Sequence, residues 1–134
     1  MDFIEKATEL ANACDVLTLT SIDLEGYPRA ISMMKVDHQG IKTFWFGCQT
    51  PSEKVKHYQK NPKAGVTFWQ DHGNVALTGT IEIIEDLKIK DEKWRDWMKM
   101  YYTNSSDPNY TLLKFTSHHG TLTFDGVLKR IQLD

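Results

Sequence analysis

Two runs rich in β-branched and aromatic residues, RAISMMKV (29–36) and IKTFWFG (41–47), are separated by only four residues, DHQG. A crossover between parallel strands needs a dozen or more residues, so this connection can only reverse the chain into an antiparallel hairpin. The same constraint recurs at AGVTFWQ (64–70) and NVALTGTIEII (74–84), which are joined by the polar turn DHG. VLTLTSI (16–22) alternates in the same way and reaches the first hairpin through the turn residues DLEGYP. YTLLKFTS (110–117) and GTLTF (120–124) read as two more strands, and VLKRIQL beyond them as a short edge strand.

Three helices interrupt this series. Phe3, Ile4, Ala7, Leu10 and Ala11 fall at helical spacing, which predicts an amphipathic helix over 2–13. Thr50-Pro51-Ser52-Glu53 has the pattern of a capping box opening a helix over 51–60, with Thr50 as the N-cap. Asn61-Pro62 stops it, because the residue before proline is pushed out of the α region. Leu87, Trp94, Trp97, Met98 and Tyr101 predict a third helix over about 86–101, followed by the loop TNSSDPN (103–109). This order lacks the strict βαβ alternation of a parallel sheet. It predicts a mainly β fold, an antiparallel barrel with helices packed outside, in a single domain over 1–134 without repeats or linkers.

Charge and composition narrow the function classes. A net charge of −2 and a pI near 6.2 provide no global field for nucleic acid, and the lysines at 54, 56, 60 and 63 read as a solvated helix face. Two cysteines, Cys14 and Cys48, make neither a disulfide framework nor a metal knuckle. The acidic, weakly apolar start and the lack of any apolar run near the roughly 20 residues of a membrane span predict a cytoplasmic protein. His38, His57 and His72 are scattered, and His118 and His119, adjacent on a strand, are expected on opposite faces, so no metal-ligand spacing is present. No Ser/His/Asp or paired-carboxylate arrangement can be read from the spacing either.

One charge is out of place. A helix N-terminus favours anions, yet Lys54 sits in the first turn of 51–60, beside the Ser52 hydroxyl. A phosphate held by backbone N–H groups, Ser52 and Lys54 accounts for it, while Lys54 taken alone reads as a surface lysine. Upstream, RAISMMKV places Arg29, Ile31 and Met33 on one face and Ala30, Ser32 and Met34 on the other. Its backbone suits the polar edge of a flat heterocycle and its polarizable methionines suit an apolar ring face, although on residue type alone methionines read as core filler. Trp94 and Trp97 read as core or interface anchors, and Trp69 is open to either role.

Taken together, GYPRAISMMKV, GIKTFWFGCQTPSEKVKHYQKNPKAGVTFW, NVALTGTIEII and DPNYTLLKF resemble the pyridoxamine-5′-phosphate oxidase-like flavoproteins, within them the short general-stress-protein branch, from about residue 10 to 126. The resemblance implies an FMN-binding split β-barrel whose cofactor lies at the interface of a homodimer. Carried across, Ile31, Ser32 and Met33 would line the flavin ring, and Phe46 and Gly47 would sit beside the ring and ribityl chain. Ser52 and Lys54 would hold the phosphate, Asn74 would present an amide to the flavin, and Phe124 takes the place of a tryptophan delivered by the partner subunit. Relatives carry an arginine where this chain has Ile31, and Arg29 on the same strand face is the candidate substitute. Glu53 stands where the vitamin oxidase is basic, and LKRIQLD lacks that oxidase's Arg-x-His substrate pattern. The implied activity is therefore FMN-dependent oxidoreduction rather than pyridoxamine phosphate oxidation. An FMN carrier or sensor is the alternative, then a haem-binding barrel using His118 or His119.

Overall fold

The computed structural model describes residues 1–134. Seven strands follow one another along the chain: β1 (Val16–Ile22), β2 (Pro28–Gln39), β3 (Thr43–Gln49), β4 (Lys63–Gln70), β5 (Gly73–Ile84), β6 (Tyr110–Phe124) and β7 (Val127–Gln132). Helix α1 (Phe3–Ala13) precedes them, and α2 (Glu53–Lys60) and α3 (Leu87–Glu92) lie between them, with a single 3-10 turn at Asp96–Met100. The sheet order is β3-β2-β1-β4-β5-β6-β7, every pairing is antiparallel, and β6 also pairs with β3. That last pairing closes six strands into a barrel and leaves β7 as the expected edge strand.

β6 makes the closure possible because it is long enough to serve two neighbours on one edge. Tyr110–Thr116 pairs with β3 and His119–Phe124 with β7, while the other edge of β6 follows β5 throughout. Alternation then fills the interior with Leu17, Leu19, Phe44, Phe46, Val66, Phe68, Val75, Leu77, Leu113, Phe115 and Leu122. Each such side chain, fully buried, stabilises the fold by about 1.5–3 kcal/mol relative to exposure. Ala7, Leu10 and Ala11 of α1 and Val55 and Tyr58 of α2 join the same core. α3 and the 3-10 turn cover a separate outward cluster around Val36, Trp45, Ile84, Tyr110 and Leu112.

Four expectations change. α2 begins at Glu53 with Ser52 as its N-cap, and Ser52 makes no side-chain capping bond. Thr50 is instead drawn into the β3–β6 junction: its hydroxyl donates to the Pro108 carbonyl at 2.6 Å and meets the Thr111 hydroxyl at 2.9 Å. The helix expected over 86–101 is broken between Glu92 and Asp96, where Arg95 is extended. Asp86 caps α3 by accepting from the N–H groups of Lys88 and Ile89, but the later residues follow tertiary contacts rather than helical spacing. The first hairpin turns at residues 40–42, with Gly40 at φ +54°.

The fourth change concerns 110–117 and 120–124, which form one strand. A bulge opposite Thr78 and Gly79 inserts His118 between Ser117 and His119, so both histidines border one hollow rather than opposite faces. Gly79 permits this crossing: a Cβ there would lie 1.9 Å from the Thr116 carbonyl oxygen. Gly79→Ala is therefore expected to destabilise the protein by about 1–3 kcal/mol or more, since a backbone atom cannot step aside. Chemical denaturation checks this, with Gly126→Ala as a control whose Cβ meets nothing within 4 Å but whose φ of +82° adds strain alone.

Candidate functional site

β2 and β3 pair only between Lys35–Gln39 and Thr43–Phe46, with a bulge between Lys35 and Asp37. Beyond that point they separate: residues 28–34 of β2 pair only with β1, and residues 47–49 of β3 only with β6. Every second residue on the free edge of β2 therefore aims its backbone N–H and C=O into the gap rather than at β1. The gap is a cleft of about 330 Å³, within the range of small-molecule sites. Ile31, Ser32, Met33 and Met34 form one wall, and Gly47, Cys48 and Gln49 the other. Ser52 and Lys54 of α2 close one end, and Trp97, Met98, Tyr101 and Tyr102 cover it.

Six of the ten residues singled out in the sequence thus meet around one cleft: Ile31, Ser32, Met33, Gly47, Ser52 and Lys54. Gly47 suits this close approach, because a Cβ would lie 3.3 Å from the Tyr110 ring, which would have to give slightly, and 3.5 Å from the Met98 methyl. Ser52 Oγ is buried, and its approach to the Cys48 thiol falls short of hydrogen-bond geometry, which leaves it an unmet polar group beside the Lys54 ammonium at the start of a helix. Beneath them, burial pushes the Cys48 thiol up, opposed by the Ser52 hydroxyl and the Lys54 charge.

Four residues lie elsewhere. Phe46 is 0% exposed and points into the barrel, because adjacent strand residues alternate and Gly47 takes the cleft side. Phe124 is also inward and 8% exposed, edge-on to Phe3, and it borders a separate hollow with Leu10 and His72 rather than the cleft. Asn74 is exposed on the outer face of β5, opposite Trp69 and Thr123. Arg29 sits 3.8 Å from Asp23 in a smaller hollow adjoining the cleft, toward α2 rather than toward the ring-binding wall expected for it.

The aromatic cover was not anticipated as part of the site. Trp97 read as a core or interface anchor, and the only sequence signal for a roof is the clustering of Trp97, Tyr101 and Tyr102 ahead of a polar loop. Asp37 ties this cover to the barrel through Lys93, at 2.7 Å, and Arg95, at 3.8 Å. Lys93 also lies 4.5 Å from the Trp45 ring centre. Burial works to raise the Asp37 carboxyl, but the Lys93 hydrogen bond, the His38 N–H and the charges of Lys93 and Arg95 hold it below its ordinary value.

An antiparallel barrel opened along one seam by strand divergence, with a helix start at the end of the opening, defines the split-barrel class. The sequence matches the family described as Pyridoxamine 5'-phosphate oxidase over residues 3–124. The chain belongs to that family. It is 30% identical, with a TM-score of 0.89, to a protein related to general stress protein 26 of B. subtilis from Clostridium acetobutylicum, covering 98% of this chain and 95% of that one. General stress protein 26 from Bacillus anthracis has the same fold at 22% identity and a TM-score of 0.82, covering 98% and 100%. A heme binding protein from Mycobacterium smegmatis shares the fold at 15% identity and a TM-score of 0.80, covering 98% of this chain and 58% of that one. A comparison with curated proteins returned no match. No helix is long and apolar enough to cross a membrane.

Asp37→Asn is expected to cost about 1 kcal/mol at neutral pH, a figure discounted for partial solvent screening of the pair. Because the folded-state carboxyl lies below its unfolded value, this contribution is present above about pH 4 and is lost as pH falls through the lowered value. The gap in Tm between wild type and Asp37→Asn should therefore close on acidification, which thermal melts across pH would check.

Proposed function

We propose that this chain is an FMN-binding flavoprotein, a small oxidoreductase that works as a homodimer and passes a hydride or electrons between a reduced donor and a small molecule. The observation that carries the reading is the unpartnered, buried Ser52 hydroxyl beside Lys54 at the N-terminus of α2. A phosphate accepts from a hydroxyl, an ammonium and helix-start N–H groups together, and supplies the missing partner. The free backbone edge of Ile31–Met33 suits the hydrogen-bonding edge of a flavin, and Met33, Met34 and the aromatic cover suit its ring. FMN, when bound, supplies the two-electron chemistry, so the absence of an acid–base dyad from the cleft is consistent with this reading. Arg29, in the hollow adjoining Lys54, adds positive charge near the phosphate end.

The homodimer is supported by a bare sheet face. Ser32, Thr18, Thr67, Ala76 and Thr121 lie in register across five strands on the outer surface, a smooth row of small side chains. Exposed Val16, Met34 and Trp69 flank it. Ser32 and Met34 belong to both this face and the cleft, so a second copy seated on the face would wall the cleft's open side.

The protein as purified should carry a flavin absorbance spectrum and release a compound of the mass of FMN. A Soret band in its place would move the assignment to haem, with His118 and His119 beside their hollow as the ligands to test. Ser52→Ala combined with Lys54→Ala should weaken FMN binding at least about tenfold while leaving the fold intact. Unchanged affinity in a fluorescence titration would remove the phosphate assignment. Light scattering at micromolar concentration should give a dimer mass, and a monomer would rule out a shared site.

A further inference from the structure

Tyr110 is 1% exposed, and its hydroxyl has no hydrogen-bond partner. A buried polar group left unmet costs stability, and native structures keep few of them. Trp94 stands edge-on to the ring at 5.6 Å between centres, Tyr102 is tilted at 5.1 Å, and the Lys90 ammonium lies 5.0 Å from the ring centre. None of these neighbours bonds the phenol oxygen. Burial pushes the phenol up to about 12, so at neutral pH the oxygen keeps its proton and can donate.

Tyr110 pairs with Gln49 across the β3–β6 ladder, so both side chains leave the sheet on one face, and Gln49 lines the cleft. From there the ring leans toward Gly47. Its Cε1 comes within 3.3 Å of where a Cβ on Gly47 would stand, and its Cδ1 lies farther off at 3.9 Å. Cε1 neighbours the carbon that bears the hydroxyl, so the polar end of the ring is the end nearer the cleft wall. The Met98 methyl meets the same point at 3.5 Å, and Met98 lines the cleft whereas Tyr110 does not. That methyl therefore stands between the hydroxyl and the cleft. The Met98 sulfur accepts from the Arg95 N–H at 3.4 Å, and rotation about the Cγ–Sδ bond swings the methyl aside without moving the sulfur.

We propose that Tyr110 is a ligand-binding residue of the cleft, its hydroxyl donating to a ribityl hydroxyl of the flavin once the Met98 methyl has turned aside. The inference rests on the flavin reading and adds to it the group that meets the sugar-alcohol chain. With the phosphate at Ser52 and Lys54 and the polar edge of the ring on Ile31–Met33, the linking chain is left the facing wall at Gly47–Gln49. Gly47 brings no side chain to that wall and Cys48 only a weak donor. The Tyr110 hydroxyl behind them is the buried side-chain group there with a strong bond still to make.

The test compares wild type with Tyr110→Phe, first free of ligand and then in fluorescence titrations with FMN, riboflavin and lumiflavin. Ligand-free Tyr110→Phe should melt at or above the wild-type temperature, because the change removes an unmet hydroxyl and no bond. It should bind FMN and riboflavin more weakly by the same factor, roughly three- to tenfold, the scale of one hydrogen bond. Lumiflavin, which carries a methyl in place of the ribityl chain, should bind both proteins alike. Ser52→Ala with Lys54→Ala is the contrast, since it should weaken FMN but not riboflavin. A tyrosine with a purely structural role would lower the melting temperature on losing its hydroxyl. A lower melting temperature or a failure to fold therefore overturns the proposal, as does an equal loss for lumiflavin. Wild type that binds FMN with Tyr110→Phe matching it removes this contact alone. Wild type that binds no FMN removes the flavin reading and the contact together.

Discussion

The divergence of β2 from β3 after Lys35 is the constraint on which the rest of the molecule depends. A barrel strand normally spends both backbone edges on neighbours, and closed barrels are stable because no edge is left over. Here β2 gives up one edge for its first seven residues, Pro28–Met34, while β3 turns its end toward β6. Those polar groups are tolerable only if something other than a strand meets them. The start of α2 and the aromatic cover occupy two sides of the opening, and the long strand β6 makes up the lost pairing by closing the barrel against β3.

How much of this is legible in the sequence follows from which features are local. Alternation gives every strand from β1 to β5, and the connections of three or four residues within the β2–β3 and β4–β5 pairs admit one topology. The clustering of Ile31, Ser32, Met33, Gly47, Ser52 and Lys54 follows from the resemblance and survives at the level of residues. Phe46 does not: its ring is wholly buried in the barrel core, while Gly47 beside it lies against Tyr110 on the cleft side. Other departures have causes distant in sequence. Thr50 leaves its capping role for partners at Pro108 and Thr111, and the 86–101 helix breaks where Lys93 and Arg95 reach Asp37. Local propensity is a weak prior against contacts of this kind.

The bulge at His118 shows the same limit in a sharper form. Two adjacent residues on an ideal strand face opposite ways, and only knowledge of the facing Thr78–Gly79 pair reveals that the register slips there. Gly79 carries the signal, since a glycine inside an otherwise β-branched run marks a close backbone approach. Yet that glycine reads equally as a bend until its partner strand is known.

Asn74 and Phe124 separate what one chain can do from what two could. Both were assigned to the flavin by resemblance, and both lie away from the cleft, but for different reasons. Phe124 points inward and packs against Phe3 and α1, at the far side of the barrel from its own subunit's cleft lining. Asn74 lies on the bare outer face, two residues from Ala76 in the row that runs through Thr67 and Thr18 to Ser32. An exposed amide on a face continuous with the cleft remains available to a second copy, at no cost to the barrel that carries it. In the proposed dimer, then, Asn74 and the exposed Trp69 opposite it are the groups most open to a partner, whereas Phe124 is reached only through the hollow it shares with Leu10 and His72.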